Sequence, residues 1–187
     1  MGAILLRFLE RLSLRKRRAD LPALRDLLGA DAGTRLVDLG GGTGLTTDAF
    51  APHDGQAIVL EPEAEKVAFG RARRPRLAFV RGRAEDLPFP DASLDRVVGI
   101  VSFHHVERPD RALNEIRRAL RPGGRLVFLE LYPDHPGLLP RLFGRHAHGT
   151  DPHFYPPDRL RDLLAAHGFR GVSVREGVKA YFVAATR

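Results

Sequence analysis

An acidic residue followed by glycine at every second position, in Asp38-Leu39-Gly40-Gly41-Gly42-Thr43-Gly44, is the first place where this chain can do chemistry. Glycines in such a run let the backbone turn tightly and approach a ligand with no side chain in the way. The spacing is not a dinucleotide fingerprint, because Leu45 stands where the last glycine would be, and no Lys-Ser/Thr follows to make a phosphate loop. Glu61 closes the apolar run Ile58-Val59-Leu60. A carboxylate there can accept both hydroxyls of a ribose and repels a 2′-phosphate. In Arg83-Ala84-Glu85-Asp86-Leu87-Pro88 a carboxylate can accept from an exocyclic amine while the amide of Ala84 meets a ring nitrogen. Ser102-Phe103-His104-His105 brings two imidazoles. Near its ordinary pKa an imidazole can remove a proton from a phenol or an amine.

These residues need elements to converge them, and the pattern supplies strands alternating with helices. Residues 3–29 read as helical, with Leu5, Phe8, Leu9 and Leu12 on one face and Arg7, Arg11, Arg15, Lys16, Arg17 and Arg18 beside it. Strands are predicted at Arg35–Leu39, 57–60, 77–81, 95–101 and 125–131, then at 172–175 and 181–185, close enough to form a hairpin. Helices are predicted at Leu45–Phe50, at 64–73 with Pro62 in the first turn, at 109–120 before Pro122-Gly123-Gly124, and at 158–167 before Gly168. The run 95–101 is apolar on both faces, as a covered parallel strand should be. The alternation predicts an α/β fold: a Rossmann-like, seven-stranded, mostly parallel sheet with helices on both faces and a C-terminal antiparallel strand pair. A single domain over residues 1–187 is expected. In such sheets the ligand sits at the carboxyl ends of the strands, near the topological switch point, which gathers the four motifs around one cleft.

Composition narrows the setting. The 187 residues are 43% hydrophobic and contain no run long enough to cross a bilayer. The basic cluster follows the short apolar start, the reverse of a secretory signal, so a cytoplasmic location is expected. With no cysteine there is neither a disulfide framework nor a thiolate metal site. The formal charge is +7, and only Lys16, Lys66 and Lys179 among the thirty basic residues are lysines. GC-rich coding accounts for that bias; a polyanionic partner is the sharper alternative. Nothing in the sequence sets an oligomeric state.

In order, and with Ala112-Leu113-Asn114-Glu115-Ile116-Arg117-Arg118-Ala119-Leu120-Arg121-Pro122-Gly123-Gly124, these segments resemble the class I methyltransferases. Within them they resemble the small-molecule group that includes the ubiquinone/menaquinone C-methyltransferases. The likeness runs from about Arg35 to Leu131. It implies S-adenosylmethionine as cofactor. Asp38, Gly40, Gly42 and Gly44 would wrap its methionyl part, Glu61 would bind the ribose, Pro62 would pack on adenine, and Ala84, Glu85 and Ser102 would complete the site. Family members commonly carry an aspartate where this chain has Arg83, and a guanidinium has no acceptor for the adenine amine. Glu85 or Asp86 takes over, or only backbone contacts remain.

Methyl transfer from a sulfonium is an in-line displacement, so alignment and exclusion of water come first and a base serves only an acceptor that must lose a proton. His104, His105 and Tyr132 are the candidate catalytic residues; the family also uses a His-His pair as packing in the turn. The insert 132–157 is expected to cover the acceptor and the amino-terminal helix to act as a lid or as a basic membrane anchor. His146, His148 and His153 are spaced too loosely in a Gly/Pro loop to predict a metal. A small, partly apolar acceptor is expected: a phenol, a quinone precursor, an amine or a lipid head group. Base methylation is disfavoured because Ser102-Phe103-His104-His105 replaces the Asn/Asp-Pro-Pro-aromatic motif. A non-catalytic cofactor-binding regulator is the alternative of a different class.

Overall fold

Successive residues of the first strand go to opposite faces: Leu36 to one apolar core, Val37 and Leu39 to the other. That is the alternation of a pleated strand covered on both sides. The computed structural model describes residue 12 and residues 14–53, 56–133 and 153–187. Its seven strands are β1 (Arg35–Leu39), β2 (Gln56–Glu61), β3 (Ala78–Arg81), β4 (Leu94–Ile100), β5 (Leu120–Leu131), β6 (Arg170–Glu176) and β7 (Ala180–Thr186). They form one sheet in the order β3-β2-β1-β4-β5-β7-β6. Strands β1 to β5 are parallel, and β7 is antiparallel to both β5 and β6. The predicted fold class and its C-terminal antiparallel pair are observed.

Helices α1 (Leu21–Leu28), α2 (Leu45–Phe50) and α3 (Ala64–Arg71) contribute Leu24, Phe50 and Val67 to one core. Helices α4 (Pro109–Ala119) and α5 (Pro157–Ala166) contribute Leu113, Ile116, Leu160 and Leu164 to the other. The chain runs outward from β1 through β2 to β3, then returns to lay β4 on the other side of β1. This reversal is the switch point at which ligands bind in open α/β sheets.

Several boundaries differ from expectation. The amino-terminal helix is not continuous: residues 14–17 are helical, 18–20 form a turn, and α1 starts afresh at Leu21. Pro22 would clash with the carbonyl of Arg18 in an unbroken helix. Leu5, Phe8 and Leu9 lie outside the described residues. Helix α4 stops at Ala119, and Leu120 already pairs with Leu94; Pro122-Gly123-Gly124 lies in an irregular stretch of β5 rather than after a helix. Pro62 precedes α3 instead of sitting in its first turn. Glu63 caps that helix in an extended conformation, and its amide is taken by Glu61.

One contact sets how closely α3 approaches the glycine loop. A Cβ on Gly70 would lie 2.3 Å from the Phe79 ring and 2.7 Å from the Thr43 carbonyl. That carbonyl also accepts from Arg74 Nη1 at 2.8 Å. Gly70→Ala should therefore lower stability by about 1–3 kcal/mol through overpacking, against the roughly 1 kcal/mol of helix propensity it gains. A reduced urea midpoint at unchanged slope is the expected result.

Candidate active site

The carboxyl ends of β1 to β4 open into a cleft of about 340 Å³, within the range of small-ligand sites. Its walls carry Asp38 and Gly40 to Thr43 from the loop after β1, Glu61 and Pro62 after β2, and Gly82 to Glu85 after β3. Val101 to Phe103, His105, Val106 and Glu107 after β4 complete them.

Asp38 is 1% exposed. Its Oδ2 accepts from Thr47 Oγ1 at 2.5 Å, while Oδ1 is buried with no hydrogen-bond partner among the described residues. Burial pushes its pKa up to about 7; the Thr47 bond and the Arg17 charge oppose the rise, and the Glu61 charge adds to it. Gly42 has φ +60°, and a Cβ there would meet nothing within 4 Å. Its bare backbone faces the open cleft. Gly40 has a different reason: its Cβ would lie 2.8 Å from that of Ser102, so glycine lets the loop pack on the turn after β4. Gly44 lies outside the cleft wall, between two residues that line it, and a Cβ there would meet Phe79 and Leu77. Gly41 is the wall residue that spacing alone passed over; a Cβ there would meet the Asp38 carboxylate at 2.7 Å.

Glu61 is 2% exposed and joins two elements. Oε2 accepts from the Gly42 amide at 3.0 Å, Oε1 from the Glu63 amide at 3.2 Å, and Lys66 Nζ stands 3.9 Å away. Burial raises its pKa, against Lys66 and the two amides. Ala84 lies in the wall as expected. Glu85 also reaches the wall, but its Oε1 is committed to the amides of Glu107 at 3.0 Å and Arg108 at 3.4 Å. Through that oxygen it joins the loop after β3 to the start of α4. Asp86 is exposed and outside the wall.

The turn after β4 is under strain and is held from β5. Val101 has φ +51°, an unfavourable region for a β-branched residue. Directly after it, the amides of Ser102 and Phe103 donate to Glu130 Oε1 at 3.0 and 2.8 Å. Glu130 Oε2 lies 2.7 Å from His104 Nδ1. Ser102 Oγ donates to the Leu39 carbonyl at 2.6 Å, tying the ends of β1 and β4 together. His104 is 2% exposed, stacks on Phe154 at 4.5 Å and gives its carbonyl to the His153 amide. It lies behind the cleft wall, whereas His105 lies in it. Tyr132 is not in the wall either; its ring packs on Tyr181 at 5.2 Å. Neither His104 nor Tyr132 is therefore brought to the cleft by the described residues. His135, His146 and His148 lie outside them.

A family model described as a methyltransferase domain matches residues 37–128. The demethylmenaquinone methyltransferase of Beutenbergia cavernae is 34% identical over 174 residues, 82% of this chain and 72% of that protein. The chain belongs to the class I S-adenosylmethionine-dependent methyltransferases. The ubiquinone/menaquinone biosynthesis C-methyltransferase of Rubrivivax gelatinosus is 33% identical over 161 residues, 80% of this chain. The chain spans 64% of that relative, less than two thirds of its length. In fold, the methyltransferase from the complex with the Trm112 methyltransferase activator of Haloferax volcanii matches with a TM-score of 0.76 at 20% identity, over 94% of this chain and 93% of that one.

Two further residues that shape this methyltransferase site escaped the motif reading. Arg17 reaches the wall from the segment before α1. Burial lowers its pKa, against the Glu130, Asp20 and Asp38 carboxylates. Glu130 touches the turn rather than the cavity. A lone acid in the apolar run Leu126-Val127-Phe128-Leu129-Glu130-Leu131 was the available signal, since a buried carboxylate needs donors. Glu130→Gln removes the charge from the bonds to the Ser102 and Phe103 amides and turns an amide N–H toward His104 Nδ1. A loss of about 1–3 kcal/mol is expected, read from the urea midpoint, with Glu130→Asp intermediate.

Proposed function

We propose that this methyltransferase transfers the methyl group of S-adenosylmethionine to a small, partly apolar acceptor such as a phenol, a quinone precursor, an amine or a lipid head group. The carrying observation is the unpartnered Asp38 Oδ1 beside the open backbone of Gly42, with the Glu61 carboxylate on the same wall. A buried acid held near neutral pKa with one oxygen unsatisfied suits a cationic amine. An open glycine suits a chain laid close against the backbone. A half-used carboxylate suits vicinal hydroxyls, because each ionised carboxylate has about four lone-pair sites and Glu61 uses two on amides. The residues therefore fit the cofactor. Asp38 would take the ammonium, Arg17 the carboxylate, Glu61 the ribose, and Pro62 with Ala84 the base.

When bound, the cofactor supplies an electrophilic methyl on a sulfonium. The chain supplies alignment and a dry wall. Phe103, Val106 and Phe128 give the cleft an apolar side that favours an aromatic or lipid-like acceptor over a nucleic acid. His105 is the wall residue placed to take the proton of an acceptor hydroxyl. His104, clamped to Glu130 and 4.1 Å from His105 between ring centroids, positions it. Arg15, Lys16 and Arg18 are exposed next to Arg17, which supports a peripheral contact with an anionic lipid surface at the cleft side and a cytoplasmic setting. No helix among the described residues is long and apolar enough to cross a membrane. A single catalytic domain over residues 1–187 completes the reading; most of the segment 132–157, expected to cover the acceptor, lies outside the described residues.

One screen and two variants test it. Small phenols, amines and lipids screened with methyl-labelled cofactor should yield a labelled acceptor, while bulk RNA and DNA stay unlabelled. Glu61→Ala should weaken S-adenosylhomocysteine by about ten- to a hundredfold, and an unchanged affinity in the folded variant removes Glu61 from the site. His105→Ala should reduce turnover by about a hundredfold or more at unchanged cofactor affinity; labelling that survives it assigns the proton elsewhere.

The pH dependence follows from Asp38. Its folded pKa is raised above the ordinary carboxylate value, so its burial favours the protonated acid. Stability of the ligand-free chain from this group is fully present below about pH 4 and falls as the pH rises to about 7. A bound ammonium reverses the preference. Affinity for S-adenosylhomocysteine should rise from pH 5.5 to 8, with proton release on binding below pH 7 seen as a buffer-dependent heat. Asp38→Asn should bind more weakly and lose the slope; a slope that survives assigns it to another group.

A further inference from the structure

Arg83 stands where the family resemblance implies a carboxylate, yet a guanidinium offers only donors. The structure supplies an acid from the turn after β4. Arg83 Nη1 donates to Glu107 Oε1 at 2.8 Å. Arg83 comes from the loop after β3 and Glu107 from the turn after β4, and both line the cleft. The arrangement is anchored from below. Buried Glu85 takes the amides of Glu107 and Arg108, which fixes the backbone of Glu107 against the loop that carries Arg83. That loop is itself closed by a bridge between Arg83 and Asp86. The side chains of the pair are about half exposed, so their bond adds little to fold stability. What it does hold is a carboxylate in the cleft lining beside Arg83, the neighbour of Ala84 in the loop after β3.

We propose that Glu107 reads the base of the cofactor by accepting the exocyclic amine of adenine, with Arg83 as a positioning residue that holds it there. The proposal rests on the cofactor reading above. An ionised carboxylate keeps lone pairs beyond the one given to Arg83, so Glu107 serves both. The same charge disfavours a base that presents a carbonyl oxygen at that place, which makes the residue one of specificity.

The test compares S-adenosylhomocysteine with S-inosylhomocysteine, its 6-oxo counterpart, by calorimetric titration of the full chain. The unaltered chain should bind the adenine compound about tenfold more tightly or better. Glu107→Ala should weaken the adenine compound by roughly three- to tenfold, the lower part of the range for charged hydrogen bonds because the site is half exposed. It should leave the 6-oxo compound unchanged or tighter, so that the ratio collapses. Arg83→Ala should shift the ratio the same way by less, with no further effect on the Glu107→Ala background. Equal weakening of both ligands by Glu107→Ala would make Glu107 a residue of cleft shape and overturn the inference. An Arg83→Ala effect that persists on that background would overturn its positioning role. Tight binding of the adenine compound with an indifferent Glu107→Ala sinks this inference alone. No binding by the unaltered chain sinks the cofactor reading with it.

Discussion

The carboxylate of Glu130 governs the arrangement of this cleft. It is buried at the end of β5 and gathers the amides of Ser102 and Phe103 and the ring of His104. A carboxylate taken out of water must find donors or neutralise, and here one turn supplies three. In return the charge holds a turn that backbone energetics oppose, since Val101 sits in the left-handed region. On the same strand, Glu130 pairs in register with Tyr181 on β7, and Tyr181 donates from its hydroxyl to the Tyr155 carbonyl at 2.6 Å. Strand β5 therefore borders the turn after β4 through the Glu130 side chain and the strand pair through its backbone.

The cleft is built from acids more than from bases, although the chain carries +7. Asp38 and Glu61 are both nearly inaccessible, and burial raises both pKa values. Such a site is unfavourable when empty and becomes favourable when a cation enters, which suits a ligand with an ammonium and a sulfonium. The arginine excess lies elsewhere. Arg96 binds the carbonyls ending α1, and Arg118 holds Glu115, Asp91 and the loop after β3. Many basic residues thus cap backbone and pair with acids, and the charge total says little about the ligand.

The strand pattern was legible because it is set by burial. An apolar run covered on both faces has few alternatives, and the boundaries of β1 and α2 were read as they stand. Glu61 was legible for a similar reason, as an acid ending an apolar strand at the switch point. What the sequence does not carry is information that needs the third dimension. Glycine spacing does not say which glycine faces outward; Gly42 does, while Gly44 packs under Phe79. The Glu85 carboxylate has a suitable address in the sequence, which does not show that amides from the next loop also reach one of its oxygens. Arg17 is one cation among several in its run, and only the turn before α1 brings it to the cleft.

The two histidines show the limit most clearly. Phe103 to His105 form one turn of 3₁₀-helix. With three residues per turn, neighbouring side chains leave the axis about 120° apart. Three adjacent residues must then serve three different surroundings. Phe103 packs on Phe128 at 4.5 Å in the core, His104 turns to Glu130 and Phe154, and His105 faces the cleft. A pair of identical side chains next to each other in sequence is therefore divided by geometry into one imidazole held by Glu130 and one that lines the cleft. Had the segment been a strand, the two would also have parted, but by 180°, leaving no third direction for the Glu130 contact. The 3₁₀ turn lets one histidine be clamped while the next keeps its access to a ligand.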